Sequence, residues 1–232
     1  MKNRANRTRL RKILTRKTNV VRRVVPELLD GLHPDDPEAL RSRRDLRVIN
    51  RLMGNFRWAR RAMARFPAAV VSGVVEVGAG EGIFCKKLKD SFPAAPITGI
   101  DLVPKPAGLR DVRWLEGDIF HHLPQVQGGV LTGVMILHHF PEEQLRQFGE
   151  LLRNFPVICF CEPWRAALPH VWGGLLWPWI GGVTRHDMPV SINAGFRAGE
   201  LAALLNLEDR RVVEVVDWRG SLRLLAWREG CG

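Results

Sequence analysis

The stretch Val74-Val75-Glu76-Val77-Gly78-Ala79-Gly80-Glu81-Gly82 decides the fold of this chain. Its apolar residues predict a short buried strand, and residues 82–88 continue with the apolar spacing of a helix. Glycines at alternate positions allow the backbone to turn sharply and to approach a ligand closely. The helix that opens there presents free N–H groups to a carboxylate or a phosphate. We therefore predict a ligand cradle; the alternative is a tight turn that binds nothing.

The glycine spacing narrows the class of ligand. Glycines at 78, 80 and 82 give Gly-x-Gly-x-Gly, whereas a dinucleotide dehydrogenase requires Gly-x-Gly-x-x-Gly. An acid, Glu76, lies two residues before the first glycine. This spacing disfavours a nicotinamide cofactor.

Length and composition indicate a water-soluble α/β protein. The 232 residues suit one domain with an appendage. No apolar run reaches the roughly 18 residues that a membrane span needs, and no signal peptide follows the basic N-terminus. The four cysteines show neither a CxxC spacing nor a disulfide framework, which predicts buried thiols in a reducing compartment and no metal site. We expect a cytoplasmic protein.

Positive charge is concentrated at the N-terminus. Residues 1–25 carry ten of the 35 lysines and arginines and no acid, although the net charge of the whole chain is +11. We predict a flexible basic tail over residues 1–25. Such a tail adds solubility, contacts an anionic membrane peripherally, or binds nucleic acid such as RNA. The sequence leaves these three uses open.

Two helices are predicted ahead of the glycine-rich stretch. An acid followed by proline indicates a helix start, and this helix is predicted over about 36–53. A second helix is predicted over about 56–66. We expect residues 26–67 to form a helical cap over a site, although each of their polar side chains can serve packing alone. The candidate substrate contacts on this cap are Asn50, Asn55 and Trp58.

Strands and helices alternate from about residue 70 onward. Apolar runs predict five strands and a closing hairpin, at about 73–77, 95–101, 112–118, 129–137, 156–161, 211–218 and 221–227. This alternation predicts a Rossmann-like, doubly wound α/β fold. Its seven-stranded sheet is expected to be mostly parallel and to end on an antiparallel strand. The proline-rich chain after residue 101 is too short for a full helix.

Two acids end predicted strands at positions that nucleotide-binding sheets use. Asp101 follows the glycine turn by about 20 residues, where such folds place the carboxylate that binds a ribose diol. Asp118 ends the third predicted strand, within Gly117-Asp118-Ile119. Taken alone, an acid at the end of a strand is also an ordinary turn residue.

Four motifs in this order resemble those of class I S-adenosylmethionine-dependent methyltransferases. They are Glu-Val-Gly-Ala-Gly-Glu-Gly at 76–82, Ile-Asp at 100–101, Gly-Asp-Ile at 117–119 and Leu-His-His-Phe at 137–140. The resemblance covers roughly residues 70–165 and points to the small-molecule branch that includes ubiquinone- and menaquinone-biosynthesis methyltransferases. It implies S-adenosyl-L-methionine as the cofactor and a methyltransferase domain over residues 68–232.

The resemblance also assigns roles to residues. Asp101 would bind the ribose, Asp118 the exocyclic amine of adenine, and Ile119 the adenine ring. No Asn/Asp-Pro-Pro-Tyr/Phe motif follows the fourth predicted strand, which disfavours methylation of a base amino group. The residues implied for the cofactor are Glu76, Gly78, Ala79, Gly80, Gly82, Asp101, Leu102, Asp118, Ile119 and Leu137.

The implied reaction is displacement at a sulfonium methyl group, from which a neutral group leaves. The protein's main task would then be to align the acceptor with the methyl group and to exclude water. A hydroxyl acceptor would need a base. His139, and after it His138, are the candidates because an imidazole titrates near neutral pH. Either histidine can instead be structural.

Residues 165–195 are predicted to be an insertion that walls or covers the substrate. The part at 168–182 is neither a clean strand nor a spanning helix, and it is too apolar for a solvated loop. Burial is therefore expected, with a membrane surface as the alternative. An apolar wall implies a small, largely hydrophobic substrate, methylated on oxygen or carbon. The alternatives are an RNA methyltransferase and a non-catalytic cofactor-binding module. The further candidate substrate contacts are Trp164, Trp172, Arg185 and His186.

Overall fold

One mixed sheet of seven strands organises residues 21–231, the part of the chain that the computed structural model describes. In chain order the strands are β1 Val74–Val77, β2 Ile97–Asp101, β3 Arg113–Glu116, β4 Val130–Val134, β5 Val157–Pro163, β6 Arg211–Asp217 and β7 Ser221–Trp227. Their spatial order is β3-β2-β1-β4-β5-β7-β6. The first five strands are parallel, and β7 is antiparallel to both β5 and β6. The predicted sheet with an antiparallel last strand is confirmed.

Three of the nine α-helices in the described residues precede β1, and the other six lie between later strands. The nine helices are α1 Pro37–Met53, α2 Asn55–Met63, α3 Pro67–Val71, α4 Ile83–Ser91, α5 Ile119–His122, α6 Glu142–Leu151, α7 Ala167–Leu176, α8 Gly182–Ala194 and α9 Glu200–Leu204. Side chains of β1 point alternately into two buried clusters, so that Val75 and Val77 belong to one and Val74 to the other. Buried apolar side chains therefore cover both faces of the sheet.

The boundaries of α1 follow from its capping residues. The Asp36 carboxylate accepts the Glu38 N–H at 2.7 Å, and Pro37 occupies the first helical position. Gly54 ends the helix in the left-handed region, at φ +70°. The helix predicted over about 36–53 is confirmed, and α2 follows after a single residue.

The apolar stretch after β5 differs from its prediction. Its first half forms α7, and Gly173 within this helix lies so close to Met188 that an added Cβ would sit 2.9 Å from the thioether side chain. Burial was expected here, but this expectation is wrong because α7 contacts α8 and the β6–β7 turn and leaves its remaining surface exposed. Leu175 is 57% exposed and Trp179 is 74% exposed. None of the described helices is both long and apolar enough to cross a bilayer.

Candidate cofactor and active site

The glycine-rich stretch forms a turn at the carboxyl end of β1. Gly78, Gly80 and Gly82 all lie in the left-handed region, with φ values of +65°, +51° and +67°. A Cβ on Gly78 would lie 2.5 Å from Ile136, whereas a Cβ on Gly80 would meet open space. Ala79 between them is buried. The turn is thus packed at its first glycine and open at its second, where a ligand can reach the backbone.

Asp101 lies beside this turn at the carboxyl end of β2. One carboxylate oxygen accepts the Gly80 N–H at 2.6 Å, and the other accepts the Val103 N–H at 3.1 Å. Leu102, the residue between, is 76% exposed. The Gly117 N–H donates to the Asp101 carbonyl at 2.8 Å, which brings the third motif to the same place. Three of the predicted motifs therefore meet at one edge of the sheet.

The third motif opens α5. Asp118 is exposed and is the N-cap of this helix, since its carboxylate accepts the Phe120 N–H at 2.8 Å. Ile119 is buried beneath it. An exposed carboxylate above a buried aliphatic side chain offers a hydrogen-bond acceptor and an apolar surface side by side.

Glu76 is a buried acid at the base of the glycine turn. Its Oε2 atom has no hydrogen-bond partner among the described residues. Burial raises the pKa of this carboxyl to about 8; a hydrogen bond from Cys85 opposes the rise, and the nearby Asp101 adds to it. A buried polar atom without a partner costs free energy, so a bound amine or hydroxyl at this position would stabilise it.

The Leu-His-His turn follows β4 and is organised by Glu162, the penultimate residue of β5. Met135 adopts a left-handed φ of +58° just before this turn. The Glu162 carboxylate is fully buried and accepts the backbone N–H groups of Ile136, Leu137 and His138 at 2.9–3.2 Å. Leu137 is buried in the core. Glu162 is not among the predicted site residues; the signal that could have found it is an acid near the end of an otherwise apolar strand.

The two histidines differ in their protonation. Burial lowers the pKa of His138, but a hydrogen bond to Glu162 at 2.9 Å and the nearby Glu27 outweigh burial and raise it to about 9. The His139 ring centroid lies 4.2 Å from that of His138. Burial and the positive charge of His138 lower the pKa of His139. At neutral pH His138 is therefore charged and His139 is neutral.

A segment that we call the strap, residues 22–31, crosses the histidine turn. Asp187 on α8 accepts the N–H groups of Leu28 and Leu29 at 2.8 and 3.0 Å. Asp30 lies 3.6 Å from Nδ1 of His139. Residues 1–20 of the predicted tail lie outside the described residues. The Arg22 guanidinium donates to the backbone carbonyls of Ala194, His138 and Phe140.

One side-chain cluster has the composition of a metal site. Potential ligand atoms of Glu27, His138 and His139 lie within 4.8 Å of one another. Glu27 also accepts a hydrogen bond from Ser191, and its carboxylate lies 3.6 Å from Nε2 of His138. The charged imidazole thus lies between two carboxylates, those of Glu27 and Glu162, and partly neutralises them. We therefore interpret the cluster as a hydrogen-bonded ion network.

The helical cap touches the glycine turn. Arg47 on α1 donates to Glu81 at 2.8 Å. Asn50 has a buried Oδ1 atom without a partner among the described residues. Asn55 is fully buried and accepts the Ser221 hydroxyl, and Trp58 is partly buried against the core. The Asn55 Nδ2 atom likewise has no partner among the described residues, so both asparagines of the cap have an unused polar atom.

No protein-family model matches the chain, and no curated protein matches it. Solved structures do match. The plantazolicin methyltransferase BpumL in complex with SAH has a TM-score of 0.64 and 14% identity over 84% of this chain and 92% of that chain. The pyocyanin biosynthetic protein PhzM has a TM-score of 0.57 and 19% identity over 88% of this chain and 62% of that chain. The magnesium protoporphyrin IX methyltransferase ChlM from Synechocystis PCC 6803 has a TM-score of 0.51 and 16% identity over 76% of this chain and 84% of that chain.

This chain has the class I methyltransferase fold. In a methyltransferase fold of this kind, parallel strands place their carboxyl ends along one edge, where a ligand crevice forms. The residues predicted for the cofactor lie along this edge, and the two histidines follow β4 at the same edge.

The substrate candidates after β5 are not brought together. Trp164 is 8% exposed and belongs to the core. The Trp172 indole donates to the Trp218 carbonyl at 2.9 Å, and Arg185 donates to the Trp177 carbonyl at 3.0 Å. His186 lies 2.9 Å from Asp187. Trp172 and His186 are exposed and Arg185 is partly exposed, so these three lie at the surface of α7 and α8.

Proposed function

We propose that this protein is an S-adenosyl-L-methionine-dependent methyltransferase that transfers a methyl group to a hydroxyl oxygen of a small, largely hydrophobic molecule. The observation that carries the proposal is the edge of the sheet at which the open glycine turn, Asp101 and the exposed Asp118 meet beside a neutral histidine. BpumL, which shares the fold, is described in complex with SAH and a triazolic desmethylPZN analog, which favours an acceptor other than nucleic acid.

The residues at this edge fit the cofactor. The open backbone at Gly80 and the unpartnered Glu76 carboxyl would hold its amino-acid end. Asp101 would exchange its bond to the Gly80 N–H for the ribose hydroxyls. Asp118 and Ile119 would hold the adenine, as a hydrogen-bond acceptor and an apolar surface. When bound, the cofactor supplies an activated methyl group.

His139 is suited to accept the proton of the acceptor hydroxyl. Its pKa is lowered by burial, so the imidazole is neutral at the pH of a cell. His138 is held protonated by Glu162 and fixes the position of the turn that carries both rings. The strap covers the pair and would exclude water from it. His139 is therefore the base, and His138 is a positioning residue.

Methyl transfer tests this proposal directly. The protein is incubated with methyl-tritiated S-adenosyl-L-methionine and either an organic extract or total RNA of the source cells. We expect label in the organic fraction, and a loss of roughly a hundredfold or more for His139→Ala because a general base contributes about that factor. His33→Ala, an exposed histidine before α1, is the matched control and should retain full transfer. Label in RNA, or in neither fraction, would overturn the proposal.

A further inference from the structure

An exposed apolar surface surrounds α7. We call it the tryptophan face and define it by Val171, Leu175, Trp177, Trp179 and Trp218, which are between 47% and 74% exposed. Isolated apolar residues on a protein surface are ordinary, but a contiguous group of large side chains indicates an interaction site. The face joins the exposed side of α7 and the turn after it to the turn between β6 and β7.

The tryptophan face lies at the same edge of the sheet as the candidate active site. Ser221, which begins β7, pairs with Pro163 at the carboxyl end of β5. The β6–β7 turn that carries Trp218 is therefore at that edge, and the Trp172–Trp218 hydrogen bond holds α7 beside it. An acceptor that arrives at this face is already close to the histidine turn.

Arginines lie against the indoles of the face. No Asp or Glu occurs between residues 163 and 186. The guanidinium of Arg185 lies 5.8 Å from the centre of the Trp177 ring, and that of Arg219 lies 5.4 Å from the centre of the Trp218 ring. The sequence of residues 1–20, which lie outside the described residues, contains eight lysines and arginines and no acid. Acids of other elements lie beside the face, since Asp217 precedes Trp218 and Asp45 accepts the Gly181 N–H. An apolar surface with arginines against its indoles complements anionic phosphates above an acyl layer.

We propose that the tryptophan face docks on the surface of an anionic lipid bilayer, with α7 lying in the headgroup boundary. The headgroup boundary suits tryptophan because its ring is apolar and its N–H is polar. The described helices are too short to span the bilayer, so α7 would lie on its surface. A protein sited there can take a hydrophobic acceptor from the lipid phase. The proposal rests on this surface and not on the proposed methyl transfer, so binding of SAH is measured separately.

Vesicle binding by the full-length protein tests the docking. Vesicles of phosphatidylcholine alone and of an equimolar mixture with phosphatidylglycerol are sedimented with wild type, Leu175→Ser and Leu52→Ser. Leu175 and Leu52 are matched, since each lies on a helix and is 57% exposed. We expect wild type and Leu52→Ser to bind the anionic vesicles equally and Leu175→Ser to bind about tenfold more weakly, because one buried leucine contributes about that factor.

Two further measurements separate the face from the basic tail. Brominated lipids should quench the tryptophan fluorescence of wild type, and deletion of residues 1–20 should weaken binding but leave the quenching of the bound fraction unchanged. Binding that Leu175→Ser and Leu52→Ser affect equally, or quenching that disappears with the tail, would overturn the proposal. So would self-association that Leu175→Ser abolishes in a protein that binds no vesicles.

Discussion

Glu76 and His138 are two buried groups whose protonation the fold has shifted in the same sense. Glu76 has an unpartnered oxygen and is neutral over much of the physiological range, because burial opposes its charge. His138 is charged in spite of its burial, because two carboxylates face it. Each group binds a proton more tightly in the folded state than in the unfolded state, so each makes stability fall as pH rises.

Glu76→Gln should remove one part of this pH dependence. The folded pKa of about 8 lies above the ordinary 4.5, so the wild type loses stability as pH rises between these values while the unfolded chain ionises. Glutamine has nothing to ionise. In urea titrations we expect the unfolding free energy of the variant to increase relative to that of the wild type as pH rises over this window. Parallel pH profiles would show that Glu76 is ionised in the folded protein.

Glu162→Gln should destabilise the protein by about 3 kcal/mol, because it leaves the buried His138 with one fewer carboxylate partner. The stability that the raised His138 pKa contributes is complete below about 6.5 and is lost as pH rises through about 9. The deficit of the variant should therefore shrink above that pH. Glu150→Gln, which removes an exposed pair with Arg153, is the control and should cost well under 1 kcal/mol. Equal costs for the two variants would contradict the ion network.

At the scale of elements, Asp187 anchors the middle of the strap, and this anchor can be removed selectively. Asp187→Ala removes the acceptor of the Leu28 and Leu29 N–H groups. We expect amide hydrogen exchange of residues 22–31 to accelerate at least tenfold, since a charged hydrogen-bond acceptor contributes about that much. Exchange in β4 and β5 should change little. Unchanged protection at Leu28 and Leu29 would contradict the anchoring role of Asp187.

Short sequence patterns predicted the helices and strands whose boundaries depend on neighbouring residues. The acid and proline before α1, the glycine after it and the apolar runs of the strands each act within a few residues, and these elements form where predicted. Burial of the stretch around α7 was predicted from its composition, but burial needs a surface to pack against, and the fold leaves part of α7 without one. Such a partner depends on tertiary packing that the local pattern does not encode.

In the candidate site, too, the residues with a local sequence pattern were predicted and those brought in by tertiary packing were not. The glycine turn and Asp101 were found because their spacing along the chain is regular in nucleotide-binding sheets. Glu162 and Glu27 were missed because they meet His138 only through the sheet order and the path of the strap. Glu162 is 24 residues from His138 along the chain, and no short pattern joins the two.

The whole molecule brings the glycine turn, Asp101, Asp118 and a histidine pair to one edge of a seven-stranded sheet. Arg47 on α1 contacts Glu81 of the glycine turn, the strap crosses the histidine turn, and the tryptophan face borders the same edge. The cofactor, the acceptor and the lipid surface would then all bind on one side of the molecule. This arrangement depends on one central claim, that S-adenosyl-L-methionine binds along the carboxyl ends of β1, β2 and β3.

Calorimetric titration with S-adenosylhomocysteine tests that claim most directly. We expect saturable binding at one site in wild type, and affinity lower by roughly tenfold to a hundredfold in Asp101→Ala, because charge-assisted hydrogen bonds to the ribose are lost. Asp90→Ala, an exposed acid on α4, is the matched control and should bind like wild type. Wild-type protein that binds nothing at millimolar ligand, or an affinity that Asp101→Ala leaves unchanged, would contradict the assignment of this edge.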